Sequence, residues 1–324
     1  MSPRTRTAIV VAALAVLAAV VVAFAAVLTT DERPARAAAA AAEPQPGEPP
    51  LALDLGLRAD AEAEALAGAL EAYEAGRLDE AARVFARYDS LEAKLGAAFA
   101  AWPGSADRVE QLAALYPRSS LAQLHLGLAR FWAGRPGAVD AWREARDVEP
   151  DTPYAVRASD LLHPTYVPAL PVLVIEARAP AAVTELPPAE QLDALRRRAE
   201  AGGLDDRLLY GIALQRLGRP VSARAVYADA ARAFPGEPEA LVADAVGRFT
   251  KERPEAAFSR LGPLARRFPQ AATVRFHLGL LLLWGKEVEE ARRQLRLAIR
   301  AEPGSFLARR AQLYLDELAG AGTS

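Results

Sequence analysis

Residues 210–235 read YGIALQRLGRPVSARAVYADAARAFP, and the fold can be argued outward from them. Gly211, Ala223 and Ala230 are small where two helices must approach closely, and Tyr210 and Tyr227 fill the space beside them. Gly218 suits the end of one helix, and Pro220 suits the first turn of the next. Pro235 ends the second helix, because proline has no N–H with which to continue it. One such helical hairpin cannot bury its apolar face alone, so the pattern needs neighbours.

The neighbours are present. Pro235, Pro269 and Pro303 recur every 34 residues, and Pro117 and Pro150 stand 33 apart. Before Pro303 come Leu278-Gly279, Ala291, Leu295 and Ala298. Before Pro150 come Leu126-Gly127, Gly134, Ala138, Trp142 and Ala145, with one residue fewer in the turn. Weaker copies lie at Ala257, Leu261, Leu264 and Pro269, and at Tyr73, Gly76, Ala81, Phe85 and Tyr88. Caps agree with this register: Pro254-Glu255 and Pro220 fit first turns, Ser305 and Asp205 fit N-caps, and Gly134, Gly218 and Gly285 fit helix ends.

Over most of residues 57–319 this pattern resembles the tetratricopeptide repeat family, and in outline its membrane-anchored bacterial members. The resemblance implies an all-α chain, a TPR-like α-solenoid of helical hairpins whose concave groove, lined by the first helix of each hairpin, takes extended peptides. Residues 305–318, with Arg309, Arg310, Asp316 and Glu317, fit the polar cap such a stack needs at its end.

Composition supports helix and narrows function. Alanine, leucine and arginine dominate, and β-branched runs of period two are scarce. The formal net charge of the 324 residues is −2, and lysine occurs only at Lys94, Lys251 and Lys286, so the basic footprint of a nucleic-acid binder is missing. The chain contains no cysteine, which excludes disulfides, thiolate metal sites and cysteine nucleophiles. The preference for Arg over Lys, with the alanine excess, suggests a bacterial genome rich in G and C.

Every residue over 8–28 is apolar, a run that spans about 30 Å as a helix and so reads as a single transmembrane signal-anchor. Residues 1–7 form the expected cytoplasmic tail, placing the remainder outside the cytoplasm. Ala35-Arg36-Ala37 has the form of a processing site and leaves a cleaved signal peptide open. Residues 29–54 read as an Ala/Pro-rich spacer, 55–163 as a first repeat block and 188–320 as a second.

Between the blocks, residues 164–187 form an extended Pro-rich interruption. His163-Pro164-Thr165-Tyr166-Val167-Pro168-Ala169-Leu170-Pro171-Val172-Leu173-Val174-Ile175-Glu176 cannot be one helix, and Val172 to Ile175 suggest a short strand. A mobile linker is one reading. The apolar content favours a segment packed on the array, acting as a built-in ligand.

Two first helices share a pattern, His125-Leu126-Gly127-Leu128 with Trp132 and His277-Leu278-Gly279-Leu280 with Trp284. His and Trp stand seven apart, near two helical turns and therefore on one face. His125, Leu128, Trp132, Phe276, His277, Leu280 and Trp284 are the candidate groove residues for an apolar protein or peptide partner; packing against adjacent helices is the alternative. His125, His163 and His277 offer no metal pair or nucleophile–base spacing. The expected profile is a membrane-tethered scaffold without catalytic residues, cofactor, metal, nucleic-acid partner or small-molecule substrate.

Overall fold

Side-chain caps fix where the helices begin. Asp60, Ser90, Ser119 and Thr152 each accept the N–H three residues on, at Ala63, Ala93, Ala122 and Ala155, satisfying donors that a first turn leaves free. Pro153, Pro188, Pro220 and Pro238 occupy first helical positions, where a missing N–H costs nothing. The periodic prolines act at the other end. Pro117, Pro150, Pro235, Pro269 and Pro303 each stand two residues beyond a helix, and the residue before each has left the α region, as the pyrrolidine ring demands.

The computed structural model describes residues 43–321, and the described residues contain helices and no strand, so the chain is all-α. It divides after Pro164 into two compact units. In the first, α1 (Ala61–Glu74), α2 (Leu78–Phe85), α3 (Leu91–Ala100), α4 (Ala106–Leu115), α5 (Ser120–Trp132), α6 (Ala138–Val148) and α7 (Pro153–Leu162) follow one another. Each packs on the next, and α1, α3, α5 and α7 also pack on one another in succession.

The second unit begins with α8 (Ala181–Thr184) and α9 (Pro188–Ala201). It continues through α10 (Leu204–Arg216), α11 (Pro220–Ala233), α12 (Pro238–Val246), α13 (Glu255–Arg267), α14 (Ala272–Trp284), α15 (Val288–Ala301) and α16 (Phe306–Ala321). Here α10, α12, α14 and α16 pack in the same alternating succession. Each unit thus holds three hairpins and a closing helix, and α8 with α9 is an addition peculiar to the second.

Close approach within the hairpins explains the small residues. A Cβ at Gly127 would run into the Trp142 ring, one at Gly211 into Tyr227, and one at Gly279 into Leu295. Glutamates before two of the prolines lock the hairpins lengthwise: Glu149 accepts the Ser120 N–H at 2.7 Å, and Glu302 accepts the Ala272 N–H at 3.0 Å. Leu66, Phe85, Phe99, Leu124 and Leu128 form the centre of the first unit, and Leu208, Tyr227, Val246 and Leu261 that of the second.

Several expectations need correction. Asp205 lies in the first turn of α10, whose N-cap is Gly203. Gly285 caps the end of α14 as expected, with φ −80°, and the left-handed residue after it is Lys286, with φ 60°. No strand forms over 172–175, because the amides of Leu173 and Val174 are bonded by side chains of the helices. The anchor read over 8–28 lies outside the described residues, and no described helix is long and apolar enough to cross a membrane.

Candidate functional site

The two histidines are buried completely, each at 0% exposure. A ring nitrogen in such a place must find a partner or forfeit its hydration. His125 Nδ1–H donates to the Leu121 carbonyl one turn back at 2.8 Å, and His277 Nδ1–H donates to that of Thr273 at 2.7 Å. Those bonds fix the tautomer and leave Nε2 as an acceptor. It accepts from an extended segment of the chain: the Ala52 N–H at 3.2 Å on His125, and the Val174 N–H at 3.0 Å on His277. Burial lowers both imidazoles to about 4, assisted at His125 by the charge of Arg157, so both rings are neutral acceptors at physiological pH.

Seven residues further along α5 and α14, the tryptophans hold the other end of the same segments. A helix leaves its last carbonyls free, and here they are used. Trp132 O accepts the Gln45 N–H at 2.8 Å, and Trp284 O accepts the Val167 N–H at 3.4 Å. The Trp284 indole N–H also donates to the Ala169 carbonyl at 3.2 Å.

Residues 45–54 and 167–176 therefore lie in one register. Pro46 matches Pro168, Pro49 matches Pro171, and Leu51 matches Leu173. The residue after the first proline is left-handed in both, Gly47 at φ 77° and Ala169 at φ 62°. Between the two clamps, the first hairpin of each unit grips the second proline's carbonyl: Tyr73 Oη donates to Pro49 O at 2.6 Å, and Gln215 Nε2 donates to Pro171 O at 3.2 Å.

Tyr73 and Gln215 stand equally far before the left-handed glycines Gly76 and Gly218 that end their helices. The Gln215 carbonyl oxygen also accepts from Leu173 N at 2.9 Å and from the Tyr227 hydroxyl at 2.9 Å. At the far end, Asp54 exchanges main-chain bonds with the Tyr154 hydroxyl, and Glu176 accepts the Phe306 N–H at 2.9 Å. Tyr154 and Phe306 both open closing helices.

Each unit thus carries a cradle that holds ten residues of extended backbone. Leu51 and Leu173 insert beneath it, at 7% and 2% exposure. Of the candidate groove residues, His125, Trp132, His277 and Trp284 make the cradles. Leu128 is a core residue of the first unit, and Phe276 and Leu280 pack with Leu295, Leu307 and Ala311. In both units the His and Trp positions expected for an outside peptide are bonded to the chain's own segments.

Sequence reasoning overlooked Tyr73 and Gln215 as gripping residues, and the segment 45–54 as an element. The shared Pro-x-x-Pro-x-Leu pattern was the available signal. Away from the cradles, a cleft of about 460 Å³ between α15 and α16 is lined by Arg292, Arg296, Arg300 and Asp316. Its Arg292 is already held by Glu289 and the Leu318 carbonyl.

No protein-family model matches the sequence, and no curated protein matches it significantly.

Proposed function

We propose that the chain is a membrane-tethered scaffold of TPR-like hairpins that binds an extended, apolar segment of a protein partner on the extracytoplasmic side of a bacterial membrane. Residues 8–28 supply the tether. One observation carries the binding half of this reading: twice in one chain, the same helix positions hold an extended proline-bearing segment by its main chain. Main-chain hydrogen bonds supply affinity with little demand on sequence, and a buried leucine supplies selectivity. The work of such a surface is recognition, and the cradles carry no nucleophile or charged pair to which a reaction would be assigned.

The test uses the absence of cysteine. Glu176 reaches the start of α16, so cysteines placed at Glu176 and Ser305 can be joined by a short bis-maleimide, pinning the segment while leaving the His277, Trp284 and Gln215 clamps in place, with the unbridged double-cysteine chain as the reference. A partner crosslinked to the membrane-embedded chain should be captured before bridging and lost after it. Equal capture in both states would overturn binding in the groove.

A second reading, a soluble exported carrier, is favoured by Ala35-Arg36-Ala37. The mass of the mature chain separates the two. Retention of residues 8–28 supports the tether, and a mature N-terminus beyond Ala37 supports the carrier.

A further inference from the structure

The two cradles share a plan and differ at the left-handed residue and at two of the clamps. In the first unit the left-handed position is glycine, which adopts φ 77° without steric cost, and the clamps at Trp132 and Tyr73 are 2.8 and 2.6 Å. In the second unit the left-handed position is Ala169, whose Cβ opposes that conformation. The clamps at Trp284 O and Gln215 Nε2 lengthen to 3.4 and 3.2 Å, while the side chains of the same two residues add bonds to Ala169 O and from Leu173 N. The second segment runs between α7 and α8, so it can lift away as a loop while the helices beneath stay folded.

From this contrast we propose that residues 167–176 are a displaceable pseudo-ligand, and that the second cradle binds a partner segment of the same chemistry, an extended Pro-x-x-Pro-x-Leu peptide continued by apolar residues. The inference rests on the partner-binding reading above and names its ligand class. The first segment, 45–54, is the fixed counterpart.

The chemistry of the occupant follows from what the cradle asks of it. The carbonyl at the second proline must meet the Gln215 amide, the amide at the leucine must meet its oxygen, and the following amide must meet His277 Nε2. The leucine must fill the site that Leu173 fills within the cluster of Leu208, Ile212 and Val246. Leu170, Val172 and Ile175 pack against that same cluster, so a competitor lacking apolar neighbours would leave the surface they cover open to water. A charged side chain at the leucine position would lose its hydration in this apolar site, so an acidic or strongly basic peptide is excluded there.

Competition inside one chain has a clear signature. A ligand's apparent affinity is its intrinsic affinity multiplied by the fraction of molecules whose cradle is empty, so variants that loosen the segment without touching the cradle tighten binding, and variants that secure it weaken binding. The probe is a fluorescein-labelled synthetic copy of residues 165–177, titrated against the full-length chain in detergent and read by anisotropy. Leu173→Ala loosens the built-in segment, and at least tenfold tighter binding than wild type is expected. Ala169→Gly removes the backbone strain and should weaken binding severalfold, with the helix content of both variants unchanged. A probe carrying Asp at its leucine should bind neither.

Equal affinity in wild type, Leu173→Ala and Ala169→Gly would overturn the pseudo-ligand while leaving the cradle a peptide site. No binding to Leu173→Ala, with its melting curve still cooperative, would overturn the cradle as a site for such peptides and the partner-binding reading with it. Should Leu173→Ala fail to fold, the direction of the Ala169→Gly change decides alone.

Discussion

At the scale of single residues the histidines make the sharpest demand on solution conditions. Each accepts a main-chain N–H, and protonation would set two donors against each other while burying a charge. In the unfolded chain a histidine titrates near 6.5, whereas the folded values lie at about 4. Between those values the unfolded state binds the proton and the folded state does not, so stability is complete above pH 6.5 and declines as pH falls towards 4. The loss is up to about 3 kcal/mol per histidine. Urea unfolding at pH 7 and pH 4.5 should show it, and a His125→Gln, His277→Gln double variant, weaker at pH 7, should lose less on acidification.

The glycines at helix crossings make an equally local demand. Gly211→Ala drives a methyl into the Tyr227 ring, which its hydroxyl bond to Gln215 holds in place. The expected cost is about 1–3 kcal/mol, read from the unfolding midpoint.

At the scale of elements, the helices were legible because their signals are local: a cap, a proline two residues past the end, a glycine under an aromatic ring. The cradles were legible only in part. His125 with Trp132 and His277 with Trp284 announced a face, since two helical turns separate them, but a face does not say what covers it. The segment 45–54 was hidden by its setting, at the end of an Ala- and Pro-rich stretch whose composition reads as spacer. Its last residues differ in physical consequence, because Pro49 and Leu51 are both buried.

The strand suggested by Val172 to Ile175 failed for a related reason: β-branched residues favour extended backbone, and here the helices, not a second strand, satisfy it. Tyr73→Phe tests the first segment as an element. It leaves the Pro49 carbonyl buried without its donor, and a loss of about 1–3 kcal/mol is expected, together with faster proteolysis over residues 43–54. Burial pushes the Tyr73 phenol well above its usual range, so the bond should persist throughout the pH range in which the protein folds.

At the scale of the whole molecule, the chain contains one design twice. An extended segment, three hairpins and a closing helix follow in order in each unit, with α8 and α9 inserted in the second. Repeat units gain stability from their immediate neighbours, and the segments add contacts between parts of the array that neighbour packing leaves apart: residue 52 meets residue 125, and residue 174 meets residue 277.

The central claim is that each unit keeps its own extended segment in its cradle, and amide hydrogen exchange of the full-length chain tests it most directly. The amides of Ala52 and Val174 should exchange far more slowly than in free peptides of the same sequence, with Val174 less protected than Ala52. Exchange at the free-peptide rate at both positions would contradict the account.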